Sequence, residues 1–346
     1  GGGYSRCNDL AVTRWREDVT RDSWGTFCYL RDVSSGKSSG AAWSTTHQPT
    51  LRRSENYEAI FSEGRAEFRR RDGDIDTHTE IVVSPEDDIE LRRVHITNCS
   101  PNRRTIEITS YAEVVLAPPA ADALHPAFSN LFVQTEIVDA RRAILCTRRP
   151  RSSDERAPWM FHLMAVHDAV AGETSYETDR SRFIGRCRTL AEPQVMDTAA
   201  ALSGSQGSVL DPVVAIRCRI TLEPEQSAKV DLAYGIGDSR DVAMGLVEKY
   251  QDLRLADRVF ELAWTHAQVV LRQINAAESD AQLYGRLASS VIYANSSLRA
   301  DRSLLMKNRR GQSGLWGYAI SGDLPIVLLR IADLANIELV RQLIQA

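Results

Sequence analysis

The sequence predicts a mainly β protein that continues into α-helices. Hydrophobic residues recur with a period of two from the start to about residue 237, and with a helical period from residue 238 onwards. Tight turns and a long loop at 117–128 separate the β-like runs, with no helical pattern between them. We therefore expect a large antiparallel β-sandwich, with sheets packed face to face, followed by a helical region.

Nine runs have the alternation or the β-branched and aromatic content of strands. They are residues 24–32, 66–72, 74–84, 89–98, 104–116, 130–138, 159–167, 213–222 and 229–237. In the fifth run, Ile106 and Val114 share one face, whereas Glu107 and Glu113 share the other. The second face is too polar for a core, so we expect it to lie outside the core.

Two helices are predicted directly after the strands. Asp238, with Asp241 three positions later, can cap a helix through about residue 252. Residues 255–274 carry an apolar stripe along one helix face.

Two more helices are predicted in the last part of the chain. Ser279 and Gln282 have the spacing of a capping box at the start of the third helix. The fourth helix is expected from about Leu324 to near the end. So few helices would leave apolar surface uncovered unless they pack on the sandwich or on further helices.

Composition excludes several classes of function. The 346 residues are 43% hydrophobic and 25% charged, with a net charge of −4, which is typical of a globular protein and unsuited to nucleic acid. The six cysteines lie far apart and form no metal-ligand pair, which favours a reducing compartment. No signal peptide and no apolar run near the ~20 residues of a membrane helix is present, so we expect a soluble protein.

No local motif identifies a catalytic or metal site. The seven histidines have no metal-ligand spacing and are expected to be structural or exposed. A phosphate-binding loop, a nucleophile elbow and a dinucleotide fingerprint are all missing from the sequence. We therefore predict no metal site and no bound cofactor.

The glycine-rich start of the chain is a secondary candidate for ligand binding. Glycine allows close approach of a partner, and aromatic and arginine side chains stack on sugars and bind hydroxyls or phosphate. The candidate residues here are Tyr4, Arg14, Trp15 and Arg16. The alternative is a flexible lead-in without a binding role.

The primary candidate is the glycine-rich loop of residues 311–323. Its polar and aromatic side chains are of the kinds that line sugar pockets; they are Gln312, Ser313, Trp316, Tyr318, Ser321 and Asp323. Asp323 also precedes Leu324 and Pro325, which is the pattern of a helix N-cap followed by proline in the first turn. The sequence leaves both roles open for Asp323.

Three segments resemble a known family. They are GGGYSRCNDLAVTRWREDVTRDSWGTFCYLRD (1–32), SYAEVVLAPPAADALHPAFSNLFVQTE (110–136) and SGLWGYAISGDLPIVLLRI (313–331). They are similar to the phosphorylase-like region of bacterial cyclic β-1,2-glucan synthases. That region is in turn similar to the cellobiose and chitobiose phosphorylases of glycoside hydrolase family 94.

The resemblance implies an architecture. The family has a β-supersandwich of the galactose-mutarotase type, then linker helices, then an (α/α)₆ barrel. Applied to this chain, it implies a supersandwich at 1–237, a helical linker at 238–278 and the first helices of a truncated barrel at 279–346.

The resemblance also implies an activity and partners. Family members are inverting phosphorylases, in which inorganic phosphate is the co-substrate and a single protein carboxyl serves as general acid. The implied ligand is β-1,2-glucan or a glucooligosaccharide, with chain-length control as the role. The implied context is a membrane-associated synthase, with this region on the cytoplasmic side of the inner membrane.

Two departures from the family limit the site prediction. The family's general acid lies in an Asp-Trp-Asn-Asp type segment, which this sequence lacks. We therefore expect the acid beyond Ala346 and expect this chain alone to be inactive. The loop from Ser313 to Ile320 keeps the family's glycines and tyrosine but lacks its arginines and terminal aspartate, and we expect Asp323 to replace the latter.

Two alternatives to a phosphorylase fragment remain open. One is a non-catalytic β-sandwich that binds carbohydrate, serves as a scaffold or forms a homodimer. The other is mutarotase-like epimerisation, which would need one of Glu90, Glu107 or Glu113 close to His78 or His95.

Overall fold

The fold is mainly β with several helices, as the sequence predicts. The computed structural model describes residues 2–16, 23–34, 41–150, 152, 157–292, 296–333, 335 and 337–345. The chain divides into two compact units, Gly1–Trp264 and Thr265–Ala346. Among the described residues, no helix has the length and apolar character needed to cross a lipid bilayer.

Two antiparallel sheets form most of the first unit. The seven-stranded sheet has the order β1-β2-β9-β14-β13, with β3 beside β9 and β4 beside β3; the eight-stranded sheet has the order β10-β11-β12-β15-β8-β7-β6-β5. The strands are β1 Arg6–Cys7, β2 Leu10–Thr13, β3 Phe27–Asp32, β4 Trp43–Ser44, β5 Asn56–Ser62, β6 Arg65–Asp72, β7 Ile75–Val83, β8 Ile89–Asn98, β9 Arg104–Ala117, β10 Val133–Val138, β11 Ala143–Arg148, β12 Trp159–His167, β13 Val170–Asp179, β14 Pro212–Leu222 and β15 Ser227–Gly237.

Each of the nine predicted strands overlaps an observed strand. The strands that the sequence analysis missed are β1, β2, β4, β5, β11 and β13. Two of these, β1 and β4, have only two residues, which is too few to show an alternating pattern, and β5 is an exposed edge strand without a buried face. The loop predicted at 117–128 contains two short helices, α1 Pro119–Leu124 and α2 Pro126–Asn130, each with proline in its first turn.

The two sheets enclose one apolar core. Ile106 and Val114 of β9 face this core, as predicted, opposite Val94 of β8 and Leu232 of β15. All four side chains are essentially inaccessible to solvent. Burial of such side chains stabilises the fold by roughly 1.5–3 kcal/mol each.

Helices cover the outer face of the eight-stranded sheet. They are α4 Arg240–Tyr250 and α5 Leu253–Gln273, and α5 continues into the second unit. Val247 of α4 and Phe260 of α5 pack with Leu91 of β8. The N-cap of α4 is Ser239, whose hydroxyl accepts the N–H of Val242 at 3.3 Å, so the prediction of Asp238 was wrong. The hydroxyl at position 239 is closer to the first free N–H groups of the helix.

The outer face of the seven-stranded sheet is also covered. Helix α3 Arg180–Ile184 and a 3₁₀ turn at Gln194–Met196 lie over it, and Tyr111 of β9 packs there with Phe183. Glu107 and Glu113 on this face are buried. The expectation that this polar face lies outside the core was therefore wrong, because neighbouring arginines neutralise its carboxylates.

Glu107 is the centre of a buried charge cluster on that face. Its carboxylate lies 2.5 Å from the guanidinium of Arg31, 3.1 Å from that of Arg219 and 3.4 Å from that of Arg217. Arg31 and Arg217 also donate hydrogen bonds to backbone carbonyls of residues 195–200. Burial lowers the pKa of Arg217 to about 10 despite the attraction of Glu107. The cluster therefore fixes an irregular segment onto the sheet.

The second unit contains short helices and long irregular segments. Its helices are α6 Glu278–Ile292, α7 Arg302–Leu305 and α8 Ile337–Gln345, with 3₁₀ turns at Ser296–Leu298 and Gln312–Tyr318. Helix α6 begins one residue before the predicted cap, Ser279. The carboxylate of Asp280 accepts the N–H of Ala277 at 2.9 Å, which is the acidic half of a capping box shifted along the chain.

The predicted fourth helix is shorter than expected. Residues 324–333 are described and contain no helix; α8 begins only at Ile337. Asp323 consequently caps no helix. The side chains of Leu324 and Leu328 are 79% and 91% exposed, so this part of the chain has the uncovered apolar surface that the sequence predicts.

Replacing Glu107 should destabilise the sandwich. The Glu107→Gln variant keeps the side-chain shape but leaves buried guanidinium groups without a counter-charge, and we expect the free energy of unfolding to fall by about 3–5 kcal/mol. Urea denaturation followed by circular dichroism measures it. The matched control is Glu223→Gln, whose carboxylate is 61% exposed and pairs with Arg103 at 3.3 Å. The free energy of unfolding of this control should change by less than about 0.5 kcal/mol. Equal decreases in both variants would contradict the role of Glu107 as the counter-charge of the cluster.

Candidate functional site

An open cleft of about 470 Å³ lies between the β1–β2 hairpin, the β7–β8 turn and the end of β15. The hairpin belongs to the seven-stranded sheet and the other two elements to the eight-stranded sheet, so residues of both sheets line the cleft. A cavity of about 580 Å³ adjoins it. We call the first cavity the amino-terminal cleft; it is lined by Tyr4, Ser5, Arg6, Cys7, Asn8, Val12, Val83, Ser84, Asp87, Asp88, Ile89, Glu90, Tyr234, Gly235 and Ile236.

The glycines at the start of the chain place this segment against residues 24–26. Gly2 donates its N–H to the carbonyl of Trp24 at 3.3 Å, and Thr26 donates to the carbonyl of Gly3 at 3.1 Å. A Cβ on Gly2 would lie 2.3 Å from the Thr26 oxygen, and Gly3 has a φ of +70°. Both positions therefore require glycine for packing within the chain itself.

An exposed aromatic pair lies beside the cleft. Tyr4, which lines the cleft, stacks on Trp15 with ring centroids 5.7 Å apart and an interplanar angle of 16°. The two side chains are 40% and 42% exposed. Aromatic rings with one accessible face are the usual surface on which sugar rings pack.

Glu90 is a firmly positioned hydrogen-bond acceptor in the cleft. Its Oε2 accepts the hydroxyl of Ser5 at 3.1 Å, and its Oε1 accepts Nε of Arg92 at 2.5 Å. Arg92 also donates to the carbonyl of Thr26 at 2.8 Å and lies over the ring of Tyr234. Each oxygen keeps a second lone pair for a ligand hydroxyl.

Asp87 connects the cleft to helix α4. Burial alone would raise the pKa of this carboxyl, but hydrogen bonds from Lys249, at 2.6 Å, and from the hydroxyl of Tyr250 outweigh burial and lower it. Asp87 is therefore ionised at neutral pH. It lines both the amino-terminal cleft and the adjoining cavity.

The charge of the cleft favours a neutral, hydroxyl-rich ligand. Asp87, Asp88 and Glu90 contribute negative charge, and Arg6 is the cation among the lining residues. Arg92 and Lys249 pair with Glu90 and Asp87, and these carboxylates are good acceptors for sugar hydroxyls. Burial, with Asp88 and Asp238 nearby, raises the pKa of the Cys7 thiol, so this cysteine is not an activated nucleophile.

Arg14 lies in a buried network of ion pairs and hydrogen bonds within the chain. Its side chain is 5% exposed and forms ion pairs with Glu113 at 2.7 Å and Asp122 at 2.9 Å, with a further bond to Asn130 at 2.7 Å. Arg16 pairs with Asp122 at 2.8 Å. Of the four candidates at the start of the chain, Tyr4 and Trp15 are the most exposed, Arg16 is 26% exposed, and Arg14 is buried.

The loop at 311–323 forms a local structure open to solvent. Gln312 donates to the carbonyl of Ser321 at 2.9 Å and to the carboxylate of Asp323 at 2.7 Å, and the indole of Trp316 donates to Ser321 at 3.3 Å. Trp316 and Tyr318 are 64% and 72% exposed. Ser313 is exposed as well, so the structure brings the six predicted residues together in one loop, and sugar binding by this loop stays a prediction.

The structure does not bring together the residues required for mutarotase-like chemistry. Glu90, Glu107 and Glu113 are each bound to arginine. His78 and His95 instead contact Glu67 and Glu80, at 3.0 Å and 3.4 Å, on the outer face of the eight-stranded sheet. The arrangement expected for mutarotase-like epimerisation is thus not formed by these five residues.

Sequence reasoning missed most residues of the cleft. Ser5, Asp87, Asp88 and Glu90 were not candidates, although the acidic turn at 84–88 between two strands was a usable signal. The cleft joins residues from the two ends of the unit, about 80 and more than 220 positions apart in sequence, which no local pattern reveals.

The chain matches one family model and several curated proteins. A family model described as "Glycosyl hydrolase 94, supersandwich domain" matches residues 1–253. The chain is 35% identical over all 346 residues to the cyclic β-(1,2)-glucan synthase NdvB of Rhizobium meliloti (strain 1021) and covers 12% of that protein. It is 26% identical over 264 residues to the N,N'-diacetylchitobiose phosphorylase of Vibrio furnissii, with 75% of this chain and 31% of that protein aligned.

The fold is also similar to solved structures at low identity. A bacterial glucoamylase in complex with acarbose aligns over 76% of this chain and 32% of its own, with 6% identity and a TM-score of 0.43. The chain spans about a third or less of the length of the two curated relatives named above.

Removing Arg14 should destabilise the folded chain. Arg14→Leu leaves Glu113 and Asp122 buried with less counter-charge, and we expect a loss of about 3–5 kcal/mol in the free energy of unfolding. Trp15→Ala, at an exposed neighbouring position, should cost no more than about 1 kcal/mol. Urea denaturation of both variants measures the difference. A fully stable Arg14→Leu protein would contradict the structural role.

Proposed function

The chain belongs to the glycosyl hydrolase 94 supersandwich family, and from this premise we propose that it is the sandwich part of a carbohydrate-active enzyme. We propose further that its amino-terminal cleft binds β-1,2-glucan or a glucooligosaccharide. The observation that carries the binding proposal is the exposed Tyr4–Trp15 stack beside an acidic cleft of about 470 Å³. Aromatic rings for stacking, next to carboxylates that accept hydrogen bonds from hydroxyl groups, suit a sugar chain.

The proposed reaction of the whole enzyme is inverting phosphorolysis. Phosphate would attack the anomeric carbon of the glycosidic bond while a protein acid protonates the leaving oxygen, which gives a sugar 1-phosphate. The names of the relatives support this proposal, since they include phosphorylases and a β-1,2-glucan synthase. Inorganic phosphate is the co-substrate, with no further cofactor.

The general acid is proposed to lie outside these 346 residues. The Asp-Trp-Asn-Asp type segment that holds it in family members does not occur in this sequence. The proposed role of this part is therefore to hold the glucan, in a membrane-associated synthase whose corresponding region faces the cytoplasm.

A second candidate function is a non-catalytic sugar-binding or scaffolding sandwich, including one that forms a homodimer. The observation that favours it is that the cleft is built entirely from residues 4–236 and needs no helix of the second unit for its lining. Glucan binding that survives removal of residues 265–346 would favour this candidate.

Glucan binding should depend on the cleft. In isothermal titration calorimetry with β-1,2-glucooligosaccharides, Tyr4→Ala and Trp15→Ala should each weaken binding about 10-fold through loss of stacking. Asp88→Asn tests the acceptor role at an exposed position. The control is Tyr57→Ala, another aromatic side chain of similar exposure (39%) on the edge strand β5.

The same titrations distinguish the cleft from the loop at 311–323. If Trp316→Ala abolishes binding while the cleft variants bind normally, the loop is the site and the cleft proposal is wrong. If β-1,4-linked oligosaccharides bind equally well, the substrate assignment is wrong.

The 346-residue chain should release no glucose 1-phosphate from β-1,2-glucooligosaccharides and inorganic phosphate. Without a positioned general acid the leaving oxygen stays unprotonated, which costs roughly 10²–10⁴-fold in rate from that contribution alone. A coupled enzymatic assay for glucose 1-phosphate measures the product. Phosphate consumption with product release by this chain would overturn the placement of the acid.

A further inference from the structure

Two histidines and two glutamates converge on the outer face of the eight-stranded sheet, away from the amino-terminal cleft. Glu67 lies on β6, His78 and Glu80 on β7, and His95 on β8. The register places Glu67 directly opposite Glu80, and His78 directly opposite His95. The four side chains therefore occupy neighbouring positions on one face of three paired strands.

Three of these side chains, Glu67, His78 and Glu80, have ligand atoms at the spacing of a metal site, and His95 adjoins them through Glu80. Nε2 of His78 lies 3.0 Å from Oε2 of Glu67, and Nε2 of His95 lies 3.4 Å from Oε2 of Glu80. Ligand atoms of Glu67, His78 and Glu80 all lie within 4.8 Å of one another. Nitrogen and oxygen ligands at about 2.0–2.1 Å from a tetrahedral zinc ion are themselves about 3.3 Å apart.

Arg65 holds the glutamates from the opposite side. Its guanidinium lies 2.9 Å from Oε1 of Glu80 and 3.9 Å from Oε1 of Glu67, which leaves the Oε2 atoms directed to the histidines. Carboxylate ligands in metal sites are commonly oriented in this way by a hydrogen bond to the second oxygen. Arg69, at 3.5 Å from Oε2 of Glu67, is the one cation that competes for a ligand atom among the described contacts.

The cluster is accessible without being fully exposed. The two glutamate side chains are 15% exposed, whereas those of His78 and His95 are 32% and 30% exposed. An ion can therefore enter from solvent past the imidazoles. Two carboxylates directly opposite each other on paired strands repel, and a divalent cation between them would relieve that repulsion.

We infer that Glu67, His78 and Glu80 form a binding site for a divalent transition-metal ion, with the adjoining His95 as its fourth ligand and zinc as the best match. Imidazole nitrogen combined with carboxylate oxygen suits zinc and its first-row neighbours, whereas calcium and magnesium require more oxygen ligands. The bound ion would link β6, β7 and β8. Its role is structural and independent of the glucan cleft.

The inference is tested on the chelator-treated 346-residue chain. Cobalt(II) should give the intense visible absorption of a tetrahedral site, at one ion per chain, and zinc should displace it. Calorimetric titration with zinc gives the affinity, and zinc should raise the Tm because it binds the folded state.

Substitution of the ligands should remove these effects. His78→Ala and His95→Ala should each weaken zinc binding by at least about 100-fold, more than the loss typical of an outer-shell partner. His266→Ala, at an exposed histidine of α5, is the matched control and should bind as the original chain does. Glu67→Gln provides a milder variant of nearly the same shape if an alanine variant does not fold.

Two results would overturn the inference. The first is the absence of a tetrahedral cobalt spectrum for the original chain. The second is that His78→Ala and Glu67→Gln bind zinc as tightly as the His266→Ala control. Either result would leave the cluster as two His–Glu contacts, with Arg65 bound to the glutamates.

Discussion

The sandwich depends on the pairing of charges that are buried on the outer face of the seven-stranded sheet. Glu107 and Glu113 lie on this face of β9, the strand that contacts β2, β3 and β14. An unpaired carboxylate in such a position would cost several kcal/mol, so the arginines around it are a condition of the fold. Two of these arginines, Arg31 and Arg217, also bind backbone carbonyls of the irregular segment 195–200, which therefore covers the sheet.

This pairing also positions the candidate site. Arg14 binds Glu113 and Asp122, which anchors the segment 2–16 to the sheet and to α1. The anchored segment presents Tyr4 and Trp15 beside the cleft, and Gly2 and Gly3 let it pass close to residues 24–26. Arg14 was a candidate ligand-binding residue in the sequence, and in the structure it holds the fold together.

The two sheets use their outer faces differently. In the seven-stranded sheet the charged residues of β9 are covered and neutralised internally, whereas the eight-stranded sheet has two zones. Leu91 lies under α4 and α5, while His78 and His95, further along the strands, remain partly accessible. Partial access is what allows a face of this kind to bind an ion, and full burial is what restricts Glu107 to a structural role.

The sequence by itself determined the order of the main elements. The alternation of hydrophobic residues predicted nine strands, including β9 with its core face of Ile106 and Val114. The helical pattern predicted α4 and α5. Both patterns can be recognised in the sequence because they depend only on residues that are close together in the chain. It also carried the family resemblance, and it placed Tyr4 and Trp15 among the candidates.

Only the tertiary structure decided what each polar residue does. Glu107 was judged too polar for a core, yet its partner Arg31 is 76 positions away in sequence. The cleft residues Ser5 and Glu90 are 85 positions apart, and the His78–Glu67 pair joins two strands. The energy of a buried charge depends on the groups that surround it in space, and sequence patterns record only the groups that lie nearby in the chain.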